Sequence, residues 1–161
     1  KGVNELFEAI KKIKQEGIKA EFGFLGWFEE DYSQIIKELE EKDYIKYYGY
    51  QKDVVKFMRE AHCIVLPSYH EGMANVLLEG AAIGRALIAS DIHGCKESVI
   101  DGVSGFTCKV KDSDDLYEKI KQFTLMSYDE KAKMGQCGRR HMEDVFDKRN
   151  VVEMTVEEIE R

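Results

Sequence analysis

Two carboxylates eight residues apart, Glu71 and Glu79, stand in the run Ala61–Asp91, AHCIVLPSYHEGMANVLLEGAAIGRALIASD. An ionised carboxylate only accepts hydrogen bonds, so such a pair suits a ligand rich in hydroxyls. Between the two lie Gly72, Met73, Ala74 and Asn75, at the opening of a helix expected over about Ala74–Ile83. Gly72 permits close backbone approach, and amides at a helix N-terminus, with the dipole behind them, favour a phosphate. Asn75 shares a face with Glu79 by i,i+4 spacing, and Val76, Leu77, Ala81 and Ala82 supply apolar faces to pin the helix. Eight helical residues rise about 12 Å, roughly the span from a sugar to the ribose of a nucleotide sugar. Taken alone, the two glutamates are ordinarily a helix N-terminal charge and a solvated surface residue. Their setting has to decide.

The setting is an alternation of helices and strands. Apolar residues at Val3, Leu6, Phe7, Ile10 and Ile13 make a helical stripe over Gly2–Gln15, with Gly17 as a stop. Strands are expected at Glu21–Leu25, Tyr44–Tyr48, Cys63–Pro67, Ala86–Ser90 and Phe106–Val110. Helices are expected at Asp31–Lys42, Val54–Ala61, Asp112–Met126, Asp129–Phe146 and Lys148–Arg161, with a short turn around Lys96–Ile100. No two strands are joined by a tight hairpin turn. The order therefore predicts an α/β fold, a three-layer α/β/α Rossmann-like domain with a mostly parallel sheet. Ligands of such sheets bind beyond the carboxyl ends of the strands, here the loops Gly26–Glu30, Gly49–Asp53, Pro67–Asn75 and Asp91–Glu97. Neither GxxxxGK[ST] nor GxGxxG occurs, so the stretch is not a P-loop or a dinucleotide fingerprint.

Composition narrows the classes. The 161 residues suffice for one domain, read as 1–161 without repeats or linkers, and the helix of 147–161 packs towards a missing domain in the expected architecture. A net charge of −7, spread among helical lysines, argues against a nucleic-acid binder. No apolar run spans a bilayer, and a cytoplasmic protein is expected. Cys63, Cys95, Cys108 and Cys137 form no CxxC pair and read as reduced thiols, and Cys95, Cys108 and His93 lack zinc-ligand spacing. Asp112–Asp115 reads as a helix cap, not a metal site. A chain opening on Lys1-Gly2 inside a helical pattern reads as a domain of a longer protein.

The run PSYHEGMANVLLEGAAIGRALIASD resembles the donor-site signature, E-x7-E, of retaining GT-B-fold glycosyltransferases of family 4 (GT4). The likeness extends to Lys1-Gly2-Val3-Asn4-Glu5-Leu6, to Tyr48-Gly49 with Asp53, to Gly94-Cys95-Lys96-Glu97, and to Asp101-Gly102-Val103-Ser104-Gly105-Phe106. It implies one half of a GT-B fold, the C-terminal donor-binding domain. The implied activity is transfer of a hexosyl group from a UDP- or GDP-sugar to a glycan or lipid-linked acceptor in polysaccharide biosynthesis. By this resemblance Glu71 is the catalytic candidate, meeting sugar hydroxyls. Gly72, Met73, Ala74 and Asn75 line the donor, Glu79 takes the ribose, and Lys1 touches the diphosphate. Gly49, Asp53 and His93 are further candidates for the base and the sugar side. No metal or other cofactor is implied. The acceptor would be held by an N-terminal domain, and no nucleic-acid partner is implied. Met73-Ala74 replace a common Phe-Gly, Ala86 a common Pro, and an arginine usual before Lys1 is missing. Trp27-Phe28 reads as a base platform, as the mouth of the cleft or as core, and His70 as an orienter of Glu71 or a packing residue. His62 and His141 read as structural or exposed. The rivals are a sugar-nucleotide epimerase on the same fold and a non-enzymatic nucleotide-binding module.

Overall fold

The computed structural model describes residues 2–27, 30–147 and 156. Lys1, Phe28 and most of the expected helix of 148–161 lie outside the described residues. Helix α1 (Val3–Gln15) buries Phe7, Ala9, Ile10 and Ile13, four positions that recur with the helical period. It stops at Gly17, whose φ of 72° is open to glycine at little cost. Strand β1 (Gly23–Phe24) and β2 (Lys46–Tyr47) follow, with α2 (Ser33–Glu41) between them and α3 (Val54–Glu60) after. Then come β3 (Cys63–Leu66), α4 (Asn75–Ala82), β4 (Ala86–Ser90), a 3-10 turn at Lys96–Ser98, and β5 (Gly105–Cys108). Two long helices close the described chain: α5 (Ser113–Leu125), capped by Asp112, and α6 (Tyr128–Val145). Ser127 and Glu130 form a reciprocal capping box at the start of α6.

Every strand pair is parallel, as the alternation requires. The expected single sheet is, however, two: β1 pairs with β2, and β3-β4-β5 form a separate three-stranded sheet. β4 occupies the middle of the larger sheet, and all five of its residues are buried. Its glycine neighbours explain how tightly it is held. A Cβ on Gly105 of β5 would stand 2.0 Å from the Leu87 carbonyl oxygen, and one on Gly135 of α6 2.0 Å from that of Gly84. Only glycine fits such backbone contacts.

Helices cover both faces. On one side α1 and α5 pack on each other, and Ala9, Ile13, Leu116, Tyr117, Ile120 and Phe123 meet Ala86, Ile88 and Phe106. On the other, Ala74, Leu77 and Ala81 of the α4 segment meet Leu87, Ala89, Cys95, Val99 and Met142. A third cluster joins Phe7 and Ile10 of α1 to Ile36, Leu39 and Ile45. Of the residues expected to pin α4, Leu77 and Ala81 are buried and Val76 is partly so, but Ala82 is exposed. Gly80 takes that place: its missing side chain admits Ile64, whose Cγ1 would lie 2.7 Å from a Cβ there.

Candidate functional site

The loops at the carboxyl ends of the strands follow Phe24, Tyr47, Leu66 and Ser90, and most of the expected site residues lie in them. β3 ends at Leu66; Pro67 and Ser68 are buried, and the chain turns through Tyr69 and the exposed His70 to the half-buried Glu71. Gly72 and Met73 are exposed, and Ala74 is buried as the residue before α4. The helix begins at Asn75, one residue later than expected, so only part of the Glu71–Glu79 interval is helical. Glu79 is exposed on its second turn, on the face of the exposed Asn75.

The amides of this loop divide in two. The Ala74 N–H donates to the Gly94 carbonyl at 2.8 Å, and that of Asn75 to the Met73 carbonyl at 3.0 Å. Among the described residues, the N–H groups of Gly72 and Met73 donate to no protein group, and no side chain caps α4. Orphan amides at a helix start, with positive dipole behind them, form a place for an anion. Here they stand between a carboxylate on the loop and one on the helix.

Gly94 fixes the loop from the neighbouring strand end. Its φ is 85°, and a Cβ would fall 2.5 Å from the Glu71 carbonyl oxygen and 2.6 Å from that of Gly72. Glu97 in turn holds Gly94, accepting its N–H at 2.8 Å, and meets the Nδ1 of His93 at 3.1 Å. The carboxyl of Glu97 is held below its ordinary range by its own backbone amide, by His93 and by Gly94, against the opposing effect of burial. His141 of α6 reaches the Glu97 carbonyl oxygen at 2.8 Å. Cys95, fully buried beside this loop, has its thiol pushed up to about 11 by burial and then by the charges of Glu71 and Glu97. It is therefore a neutral packing residue.

Glu5 and Tyr69 were not singled out from sequence. The Tyr69 hydroxyl donates to Glu5 of α1, and its pKa rises to about 12, through that bond and through burial. The second Glu5 oxygen is buried without a partner, and Lys111 lies 5.3 Å above the Tyr69 ring. The bond ties the start of α1 to the loop that carries Glu71. Its partners are 64 residues apart in the chain, so no local pattern announces it.

The loops after β1 and β2 are tied to each other. The Gly26 N–H donates to the Gly49 carbonyl at 2.8 Å, and the Tyr47 hydroxyl to that of Gly26 at 2.9 Å. Asp53 has a structural task, capping α3 by accepting the Lys56 N–H at 3.2 Å. Trp27 is 73% and Tyr50 64% exposed, with ring centroids 5.7 Å apart, so Trp27 is not core. His62 is exposed and meets the Tyr128 ring edge-on. Among the described residues no group of three His, Cys, Asp or Glu side chains stands close enough to hold a metal ion, and no helix is long and apolar enough to cross a membrane.

Comparison with known proteins gives this geometry a context. The profile of the family described as "Glycosyl transferases group 1" matches residues 1–141. A similar curated protein is the N,N'-diacetylbacillosaminyl-diphospho-undecaprenol alpha-1,3-N-acetylgalactosaminyltransferase of Campylobacter jejuni. It is 34% identical over 134 residues, which are 83% of this chain and 34% of that protein. A S. aureus TarM variant, solved with Fondaparinux, alpha-GlcNAc-glycerol and UDP, superposes with a TM-score of 0.85 at 19% identity, over 96% of this chain and 32% of that one. The C-terminal domain of a glycosyl transferase group 1 protein (LpcC) from Francisella tularensis superposes with a TM-score of 0.76 at 23% identity, over 92% of this chain and 80% of that one. The chain thus spans about a third of the length of the full proteins it matches.

Proposed function

The chain belongs to the glycosyl transferases group 1 family, and on that premise we propose that it is the donor-binding half of a retaining, GT4-type glycosyltransferase. It would move a hexosyl group from a UDP- or GDP-sugar to a glycan or lipid-linked acceptor held by a further domain of the whole protein. The observation that carries this reading is the pair of unpartnered amides, Gly72 and Met73, at the uncapped start of α4 between Glu71 and Glu79. In this reading the diphosphate lies on those amides, the sugar hydroxyls on Glu71, and the ribose hydroxyls on Glu79 and Asn75. Gly94 and Glu97 are positioning residues, because they hold the loop of Glu71 by backbone contact. The exposed Trp27–Tyr50 pair offers an aromatic face to the base.

The chemistry follows from that placement. The bond from the sugar's anomeric carbon to the diphosphate oxygen breaks, and the acceptor oxygen bonds to that carbon on the same face. The acceptor's proton passes to the leaving diphosphate. The protein's contribution is to stabilise the charge that grows on the diphosphate, through preorganised amides and the dipole of α4. Lys1 would add a cation and the reaction would need no metal; both belong to the proposal. A cytoplasmic location, at the membrane face where a lipid-linked acceptor would be found, is part of the same reading.

Thermal shift of the whole protein with UDP, GDP and ADP tests it. One nucleotide is expected to raise Tm, and Glu79→Ala to remove most of that rise while leaving the free protein's Tm unchanged. No stabilisation by any of the three would overturn donor binding. The 1–161 chain alone is expected to bind weakly and to transfer nothing, so turnover by it would contradict the division of labour between domains.

A further inference from the structure

Glu5 stands in the first turn of α1, where an acidic side chain is ordinarily a surface charge facing the helix dipole. Here it is turned inward. One oxygen accepts the Tyr69 hydroxyl, and the other is buried without a partner among the described residues. Tyr32, a second phenol that feels the charge of Glu5, donates to Glu30 instead, at 3.1 Å. A carboxylate oxygen kept from water and left unpaired costs stability. An outward orientation would serve the helix as well and avoid that cost, so the dipole alone does not account for the placement.

What the bond reaches is the loop between β3 and α4. Tyr69 lies two residues before Glu71 and three before Gly72, the first of the two amides that donate to no protein group. On the far side of that loop, Ala74 donates to the Gly94 carbonyl at 2.8 Å. On the near side, a Cβ on Gly2 would stand 1.9 Å from the Pro67 carbonyl oxygen, and Glu5 holds Tyr69. The ammonium of Lys111, which follows β5, lies 5.3 Å from the centroid of the Tyr69 ring. Among the described residues the bond to Glu5 is the only side-chain hydrogen bond this loop makes, so nothing replaces it when it is lost. A carboxylate near an anion site works against anion binding. The benefit of Glu5 is therefore in geometry, not in charge.

Given the donor-binding reading, on which this step rests, we propose that Glu5 and Tyr69 are positioning residues for the sugar end of the donor. The hydroxyl bond fixes residues 71–73, and so decides how Glu71 meets the hexosyl group that is transferred. Asn75 and Glu79 lie on α4, beyond the bond from Ala74 to Gly94, so the nucleotide end is not under the same control. Loosening the bond between α1 and the loop would therefore be felt by the sugar and not by the nucleotide.

Calorimetry on the whole protein tests this, with UDP against UDP-glucose and UDP-N-acetylglucosamine, and GDP against GDP-mannose. In Tyr69→Phe and in Glu5→Ala, affinity for the sugar nucleotide relative to its bare diphosphate is expected to fall about tenfold. Affinity for the diphosphate itself is expected to stay within about twofold of wild type. The double variant is expected to lose no more than either single one, because the same bond is removed in all three. Glu5→Gln keeps an oxygen for the hydroxyl and is expected to restore the ratio. In the free protein, exchange of the Ala74 amide is expected to speed about threefold or more in Tyr69→Phe, while that of Leu6 in α1 changes less. If Tyr69→Phe does not fold, Glu5→Gln against Glu5→Ala carries the comparison. An unmoved ratio with binding intact, additive losses in the double variant, or faster exchange confined to α1 would each overturn the inference and leave the donor reading in place. Failure of every nucleotide and sugar nucleotide to bind would overturn both.

Discussion

The two sheets of this chain, the three-stranded half and the two-stranded half of the fold, differ in how their loops are supported. In the three-stranded half, β4 is wholly buried, and glycines at 105, 135 and 80 bring backbone and side chains closer than any Cβ would allow. The loops it carries are correspondingly tied: Gly94 to Glu71 and Ala74, and Glu97 to Gly94. In the two-stranded half, each strand has two residues, and the side chains beyond them, Trp27, Tyr48 and Tyr50, stand exposed. The carboxylates and free amides of the candidate site belong to the rigid half, and the aromatic face to the thinner one. Groups that stabilise charge work only when preorganised, whereas a stacking surface tolerates looser placement. The division of support thus follows the division of chemical demands.

The largest expected effect probes the rigid half directly. Gly105→Ala would force a Cβ to within 2.0 Å of the Leu87 carbonyl oxygen, and backbone cannot rotate away as a side chain can. A loss of about 3 kcal/mol or more is expected in denaturant titration. Gly49→Ala in the thinner half meets nothing within 4 Å and is strained only by its φ of 63°, so about 1–2 kcal/mol is expected there. Equal losses at the two sites would remove the contrast in packing.

Binding comes next. Glu79→Ala removes charge-assisted hydrogen bonds to the ribose in the proposed complex, and nucleotide affinity is expected to fall about 10- to 100-fold by calorimetry. Trp27→Ala removes a stacking face and is expected to cost about three- to tenfold. Neither should move the free protein's Tm far, because both residues are exposed. A larger effect at Trp27 than at Glu79 would reverse the assignment of affinity to the rigid half.

A smaller effect tests what ties the thinner half together. Tyr47→Phe deletes only the hydroxyl that donates to the Gly26 carbonyl at 2.9 Å. About 1 kcal/mol is expected, with faster amide exchange at Gly26 and Gly49 and none at Gly94. Spread of the change to Gly94 would mean that the halves act as one unit.

What the sequence disclosed divides along the same line. β4 was legible to the residue, because ALIA is an uninterrupted apolar run closed by the small Ser90 and bounded by Arg85 and Asp91. β1 was expected over Glu21–Leu25 but pairs only at Gly23–Phe24, since hydrogen bonding needs a partner and β2 alone supplies one. The position of Glu71 and Glu79 at a strand end was readable from alternation. Which amides remain free was not, because the bond from Ala74 to the Gly94 carbonyl depends on how two distant loops meet. Glu5 with Tyr69 is unreadable for the same reason. Ala82 fitted the apolar pattern and is exposed, because Gly80 forms the close contact with β3.

The smallest effect concerns α1, which is fastened to the two halves by different chemistry. Towards α5, Glu16 accepts from the Tyr117 hydroxyl and pairs with Lys121 at 2.7 Å. Towards α2, Lys14 donates to the Asp43 backbone carbonyl at 3.1 Å, an acceptor that does not titrate. Lys121 first and Tyr117 second hold the Glu16 carboxyl below its ordinary value of 4.5, so the contribution is complete above that value and is lost as pH falls through the lower, folded one. Asp31, Glu38, Glu97 and Glu130 are also held low, so the readout is the difference between wild type and Glu16→Gln, not either profile alone. That difference in Tm is expected to be small at pH 7, since Glu16 is on the surface, and to vanish as pH falls below 4.5 and through the lower, folded value. Exchange at the α1–α5 contact should track it while the α1–α2 contact stays unchanged. A difference that persists once Glu16 is protonated in the folded protein would mean that Glu16 holds α1 by packing, and the fastening on both sides would then be of one kind.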